Sequence, residues 1–129
     1  TVMPGSILYD FGDALRMGGS TGAEDETDLS KVNFDNGAFE AFAKGFCSET
    51  ADSMTEMEKE LLPFSVKLLT YECGIRFLGD YLVGDTYFKI HRENHNLIRC
   101  RTQFKLIAEM EKVYDKMCKI VEDTAKKYL

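Results

Sequence analysis

From Phe64 to Val83 the chain is almost continuously apolar, with 12 of 20 residues aliphatic, aromatic or cysteine and only Lys67, Glu72, Arg76 and Asp80 charged. Phe64, Leu68, Tyr71, Ile75, Leu78 and Leu82 recur at helical spacing on one face, while Glu72, Arg76 and Asp80 sit four apart on another. This pattern predicts a buried helix carrying one charged stripe. A charge in a low-dielectric interior needs a partner. Two readings of Arg76 follow: an internal pair with Glu72 or Asp80, or a guanidinium that faces a cleft and grips an anionic or polyhydroxylated ligand with its planar fork of donors.

The same periodicity organises the rest of the chain. Phe104, Ile107, Met110, Tyr114, Met117 and Val121 predict one amphipathic helix from about Asn96 to Lys127. Phe39, Phe42, Ala43 and Phe46 predict another, capped by Asp35. Asp10 reads as the cap of a short helix ending at Gly18 and Gly19, and Ser20 to Asn33 reads as a loop. Thr55 and Glu58 form a capping box that opens a short helix to about Leu62, after which Pro63 starts the long helix and Gly84 ends it. Only Asp85 to Ile90 could extend as a strand. The expected fold class is all-α, with residues 1–129 forming one helical domain.

Charge sharpens this picture locally. The net charge of −6 argues against general nucleic-acid binding. Glu24 to Asp35 holds five acids and one base, whereas Lys89 to Lys105 holds five Lys or Arg against Glu93. On a helix, Arg92, His95 or Asn96, Arg99 and Gln103 share a face, which either grips an anion or answers the acidic loop. Cys47, Cys73, Cys100 and Cys118 are far apart and form no CxxC pair, so free thiols and a reducing cytoplasm are expected, with Cys73 and Cys100 buried. No run of apolar residues is long enough to predict a membrane span. The opening TVMPG, without an initial Met, suggests a fragment.

Some short strings point to chemistry that their context does not support. Asp10-Phe11-Gly12 matches the magnesium-binding triplet of protein kinases, but it opens a helix instead of ending a strand. His91 and His95 have i, i+4 spacing, yet Arg92 stands where a zinc protease has its Glu, and a metal site is not expected. None of the four cysteines begins the Cys-x-Pro-x-Arg signature of sulfatases.

The string TVMPGSILYDFGDALRMGGSTGAEDETDL, with GIRFLGDYLVGDTYFKIHRENHNLIRCRTQFKL, resembles the C-terminal part of the N-acetylhexosamine 1-kinases, ungapped over both stretches. These enzymes belong to the aminoglycoside phosphotransferase and choline kinase-like superfamily, which shares the protein-kinase fold. The resemblance implies that this chain is the helical, sugar-binding part of a C-terminal lobe. It also implies that the ATP-binding lobe, the catalytic Asp and the Asp-x-Asp magnesium strand lie upstream. ATP and Mg2+ would then serve the intact enzyme and not this fragment, which would hold no catalytic residue. Arg76 in GIRFL and Tyr87 in GDTYFK take the sugar or phosphate contacts. Asp80, Tyr81, Arg92 and His95 are candidates for orienting them, and Asp10 for buttressing the catalytic loop. Met17 departs from the aromatic expected there.

A substrate other than a hexosamine, or a purely helical interaction domain, remains the alternative. The isolated fragment is expected to self-associate, because the Phe64 to Val83 helix and the Phe39, Phe42 and Phe46 face would lose their cover.

Overall fold

The computed structural model describes residues 3–128; Thr1 and Val2, which open the first string quoted above, and Leu129 lie outside it. The described residues form five α-helices and two short 3-10 turns, as the all-α expectation requires. They are α1 (Ile7–Gly18), α2 (Asn36–Thr50), α3 (Glu56–Leu82), α4 (His95–Lys112) and α5 (Tyr114–Lys127). α1 and α4 pack along α3, and α5 packs against α2 and α3. Phe11, Leu15, Phe39, Ala43, Leu62, Val66, Leu106, Met110 and Met117 meet at the centre with almost no exposure.

Local chemistry explains most helix ends. Ser6, not Asp10, caps α1: its hydroxyl accepts from the Leu8 amide at 3.2 Å, and Asp10 lies inside the first turn. Asp35 caps α2 as expected, accepting from Gly37 and Ala38 at 2.9 and 3.2 Å. The Thr55–Glu58 box is closed in both directions. Between α1 and α2, the loop closes on itself where Ser20 pairs with Phe34, with Asp35 N–H donating to the Gly19 carbonyl at 2.8 Å.

Three boundaries differ from the sequence expectations. Pro63 lies inside α3 and does not start a new helix. It removes one amide donor, a cost of about 3 kcal/mol in an isolated helix, but here it is buried with Leu62 and Val66 in a face packed on neighbouring helices. The final helix breaks at Val113, whose amide donates to Met110 at 3.1 Å, and α5 then packs on both α2 and α3 with Met117 and Val121 buried. Residues Asp85 to Ile90 form no strand, because their amides turn inward.

The largest difference concerns which side of α3 is buried. Lys59, Leu62, Val66, Thr70, Gly74, Phe77 and Asp80 face the protein. Phe64, Leu68, Tyr71, Ile75 and Leu82 face outward, between 40 and 72% exposed. By contrast, the α2 aromatics are largely covered: Phe39 is fully buried, and Phe11 packs on Phe39 and Phe46 at centroid distances of 5.9 and 5.1 Å. The expected uncovered surface is therefore present on α3 and mostly absent on α2.

Candidate functional site

The site is built around the turn that follows α3. Gly84 (φ 102°) and Asp85 (φ 61°) both adopt positive φ, turning the chain back on itself so that three successive amides point at the last turns of α3. Asp80 receives them: its Oδ1 accepts from Thr86 and Tyr87 at 3.0 and 2.8 Å, and its Oδ2 from Phe88 at 3.0 Å and from the Asn96 amide at 2.7 Å. Burial would raise the Asp80 pKa, but these four donors outweigh it and hold the carboxyl below its usual range. Asp80 is consequently a buried latch, closed to solvent.

The latched turn carries Tyr87 and Phe88 to Arg76. The Arg76 guanidinium carbon lies 5.5 Å from the Tyr87 ring centroid and 5.4 Å from that of Phe88. Phe88 packs on Phe77 at 4.7 Å, and Arg99 lies over the Phe77 ring at 5.5 Å. Pairing of Arg76 with Glu72 or Asp80, one of the two readings of the sequence, does not occur. Among the described residues Arg76 has no ion pair and no side-chain hydrogen bond, so its donors are open to a ligand.

Arg76 stands where two hollows join between α1, α3 and the turn. One, of about 440 Å³, reaches inward to Arg16, Glu24, Cys73, Phe88, Lys89 and Arg99. The other, of about 590 Å³, extends along α1 past Tyr9, Asp10 and Ala14. Asp13, Leu69, Glu72 and Arg76 line both. The inner wall is an ion network: Arg16 donates to Glu24 at 2.8 Å and to Asp13 at 3.3 Å, and Glu24 reaches Arg99 at 3.8 Å. Burial would lower the Arg16 pKa, yet its bonds to Glu24 and Asp13 and the nearby Cys73 keep it above the ordinary value. Burial likewise pushes the Cys73 thiol up, which makes it a poor nucleophile.

The remaining predicted residues have other engagements. His95 is buried, its Nε2 3.0 Å from Asp25 and its Nδ1 accepting from the His91 amide at 3.1 Å. That hydrogen bond from His95 holds the Asp25 carboxyl below its usual pKa, aided by Arg92 at 3.5 Å. Thr102 adds a bond to the Glu24 carbonyl. The basic face of α4 thus answers the acidic loop, and Arg92 and His95 hold that loop in place. Tyr81 is half-buried, with its carbonyl accepting from Gly84 at 3.3 Å. Met17 is outside the lining, its sulfur 3.6 Å from Arg16.

In the Asp10-Phe11-Gly12 triplet, Asp10 is exposed, Phe11 is core and Gly12 marks the crossing of α1 with α3. Arg16, Glu24 and Lys89 were not singled out from the sequence. The Asp13–Arg16 spacing on α1 hints at the first, and the acidic and basic windows that Glu24 and Lys89 open hint at the others, but the partners could not be named, since Glu24 meets Arg99 across 75 positions of chain. No helix among the described residues is long and apolar enough to cross a membrane. No protein-family model matches the chain.

Proposed function

We propose that this chain is the substrate-binding, C-terminal part of an ATP- and magnesium-dependent cytoplasmic kinase that phosphorylates the anomeric hydroxyl of an N-acetylhexosamine. The observation that carries the reading is the open guanidinium of Arg76, which lines the cleft and lies beside Tyr87, an exposed tyrosine outside the cleft lining whose backbone is latched by a buried aspartate. A planar fork of donors next to an aromatic ring suits a sugar whose anomeric oxygen becomes a phosphate ester. Arg76 would meet the charge that develops at that end, and the Tyr87 hydroxyl would bond a sugar oxygen.

No group of three or more His, Cys, Asp or Glu side chains among the described residues is placed to hold a metal, and the carboxylates nearest Arg16 and the turn are already engaged. Asp13 and Glu24 are engaged by Arg16, and Asp80 by backbone amides. The metal, the nucleotide and the base that accepts the hydroxyl proton are therefore assigned to upstream sequence, on the strength of the resemblance alone.

The expected result for the purified 129-residue chain is no ATP binding and no ATP turnover. In the protein extended by its upstream lobe, a substrate panel with ATP and magnesium should single out an N-acetylhexosamine. There Arg76→Lys should lower kcat by on the order of a hundredfold, since a donor aimed at transition-state charge is worth about 3 kcal/mol. Because Arg76 has no acidic partner among the described residues, the same change should shift stability by less than about 1 kcal/mol. Tyr87→Phe is the companion, with a raised KM for the sugar. Full activity and unchanged KM in both variants would remove the site assignment. A second reading, a helical interaction domain, is favoured by one observation, the exposed apolar stripe on α3.

A further inference from the structure

α3 is apolar on two sides, and only one of them is covered. The inner side is packed on the rest of the chain. On the outer side Met57, Leu61, Phe64, Leu68, Tyr71, Ile75, Leu78 and Leu82 recur at spacings of 4, 3, 4, 3, 4, 3 and 4. That is a heptad seam without a break, with Leu61, Leu68, Ile75 and Leu82 at one core position and Met57, Phe64, Tyr71 and Leu78 at the other. Met57, Phe64, Leu68, Tyr71, Ile75 and Leu82 are between 40 and 72% exposed, and Leu61 and Leu78 are half-buried. At about 1.5 Å per residue the seam runs roughly 38 Å, and at a helix width of roughly 10 Å it presents about 400 Å² of apolar face. Isolated apolar side chains are ordinary on a protein surface, but a continuous strip of this size is characteristic of an interface.

The charges along the seam say what fits it. On the edge toward α1 lie Glu58 and Glu72; on the edge toward α4 lie Glu60 and Lys67. If two copies of α3 met antiparallel over the whole seam, like edges would face one another, Glu72 would find Ser65 or Glu72 of the second copy, and Lys67 would find Gly74 or Lys67; pairing Lys67 with Glu60 would require a shift that uncovers about half of the seam. If they met parallel and in register, the α1 edge of one would face the α4 edge of the other, and Lys67 would fall beside Glu72 of the second copy, five residues on, twice by symmetry. Both groups are available for this. Glu72 has no ion pair among the described residues. Lys67 is held at 3.5 Å by Glu111, whose side chain is 59% exposed, and lies 4.9 Å from the Tyr114 ring centroid, two weak contacts that it can exchange for Glu72 of a second copy.

We propose that the outer face of α3 pairs with the same face of a second copy of this chain, as a parallel, two-fold symmetric helix pair sealed by reciprocal Lys67–Glu72 ion pairs. The pairing concerns the 129-residue chain and stands apart from the kinase reading. It is a strip smaller than the roughly 800 Å² per partner of a standard interface, so the dimer should dissociate on dilution.

Sedimentation equilibrium over a range of concentrations, with circular dichroism to establish folding of each variant, tests it. The wild-type chain should show a monomer–dimer equilibrium. Leu68→Glu alters an exposed residue and should leave the helix content intact while weakening dimerisation roughly a hundredfold or more, because the change occurs twice. Lys67→Glu and Glu72→Lys should each weaken the homodimer a few-fold at low salt, and an equimolar mixture of the two should regain the wild-type mass as a heterodimer. A chain that is monomeric at every concentration, a dimer indifferent to Leu68→Glu, or charge variants that fail to rescue one another on mixing would each overturn the proposal.

Discussion

Replacing Asp80 by alanine should release the turn from Thr86 to Phe88 while leaving the rest of the chain folded. Three backbone amides and the Asn96 side chain donate to this one carboxylate; the three amides would lose their acceptor, while Asn96 keeps its bond to Asp85 at 2.9 Å. Asp80→Asn should be nearly as damaging, since either orientation of its amide group turns an NH2 toward donors that need an acceptor. Hydrogen exchange at Thr86, Tyr87 and Phe88 should accelerate roughly tenfold or more in both variants, with α2 and α5 unaffected. The functional consequence is a loosened placement of Tyr87 and Phe88 beside Arg76, since their amides lose this anchor while Phe88 keeps only its packing on Phe77 and the neighbouring Lys89 carbonyl its bond from Arg99.

Acid should reproduce the effect in the unaltered chain. Because the folded pKa of Asp80 lies below its unfolded value of about 4, its stabilisation is complete above that value. It is lost as pH falls through the depressed folded pKa. Amide protection of the turn that is already gone at pH 6, or that survives when the rest of the chain unfolds in acid, would contradict this role.

Gly12→Ala should be among the most destabilising small substitutions in the protein. A Cβ at Gly12 would sit 2.4 Å from the carbonyl oxygen of Ser65 and 2.8 Å from its carbon, and a helix backbone cannot move aside as a side chain does. Overpacking of this kind costs about 3 kcal/mol or more, which exceeds the gain of at most about 1 kcal/mol from replacing glycine inside a helix. Gly79→Ala isolates that gain, because no atom lies within 4 Å of the added methyl group. It should stabilise by about 0.5–1 kcal/mol. The expected outcome of urea unfolding is thus opposite signs for one chemical change at two helical glycines. Gly12→Ala should also open the cleft, since the α1–α3 crossing forms its wall.

How much of this could be read before the fold was known varies element by element. Asp35, and Thr55 with Glu58, could be located as caps because a cap is a contact between residues two or three apart. Asp10 misled, because Ser6 lies one turn earlier with the same chemistry and only the backbone decides which oxygen reaches an orphan amide. The break at Val113 was hidden by a rhythm that runs unaltered through it, from Met110 to Tyr114, Met117 and Val121. A reading of period detects faces and is blind to a change of direction. Arg76 was legible as an unusual charge, but its freedom from Glu72 and Asp80 was not, because that depends on where the turn after Gly84 delivers its amides.

By itself, then, the sequence determined the helical class, most of the caps and the presence of two features needing explanation, the α3 stripe and Arg76, since each depends on residue type and short-range spacing. Which side of α3 is inside was decided only by the tertiary structure. Both faces of that helix are apolar enough to be buried, and the choice rests on Gly12 and Gly74, whose missing side chains let Ser65 of α3 meet α1 and let Phe104 of α4 meet α3 on one side. The cleft was decided in the same way. Its wall joins Arg16, Glu24 and Arg99 from three segments that local spacing cannot relate, and long-range ion pairs of this kind exist only once packing has removed the alternatives that water offers.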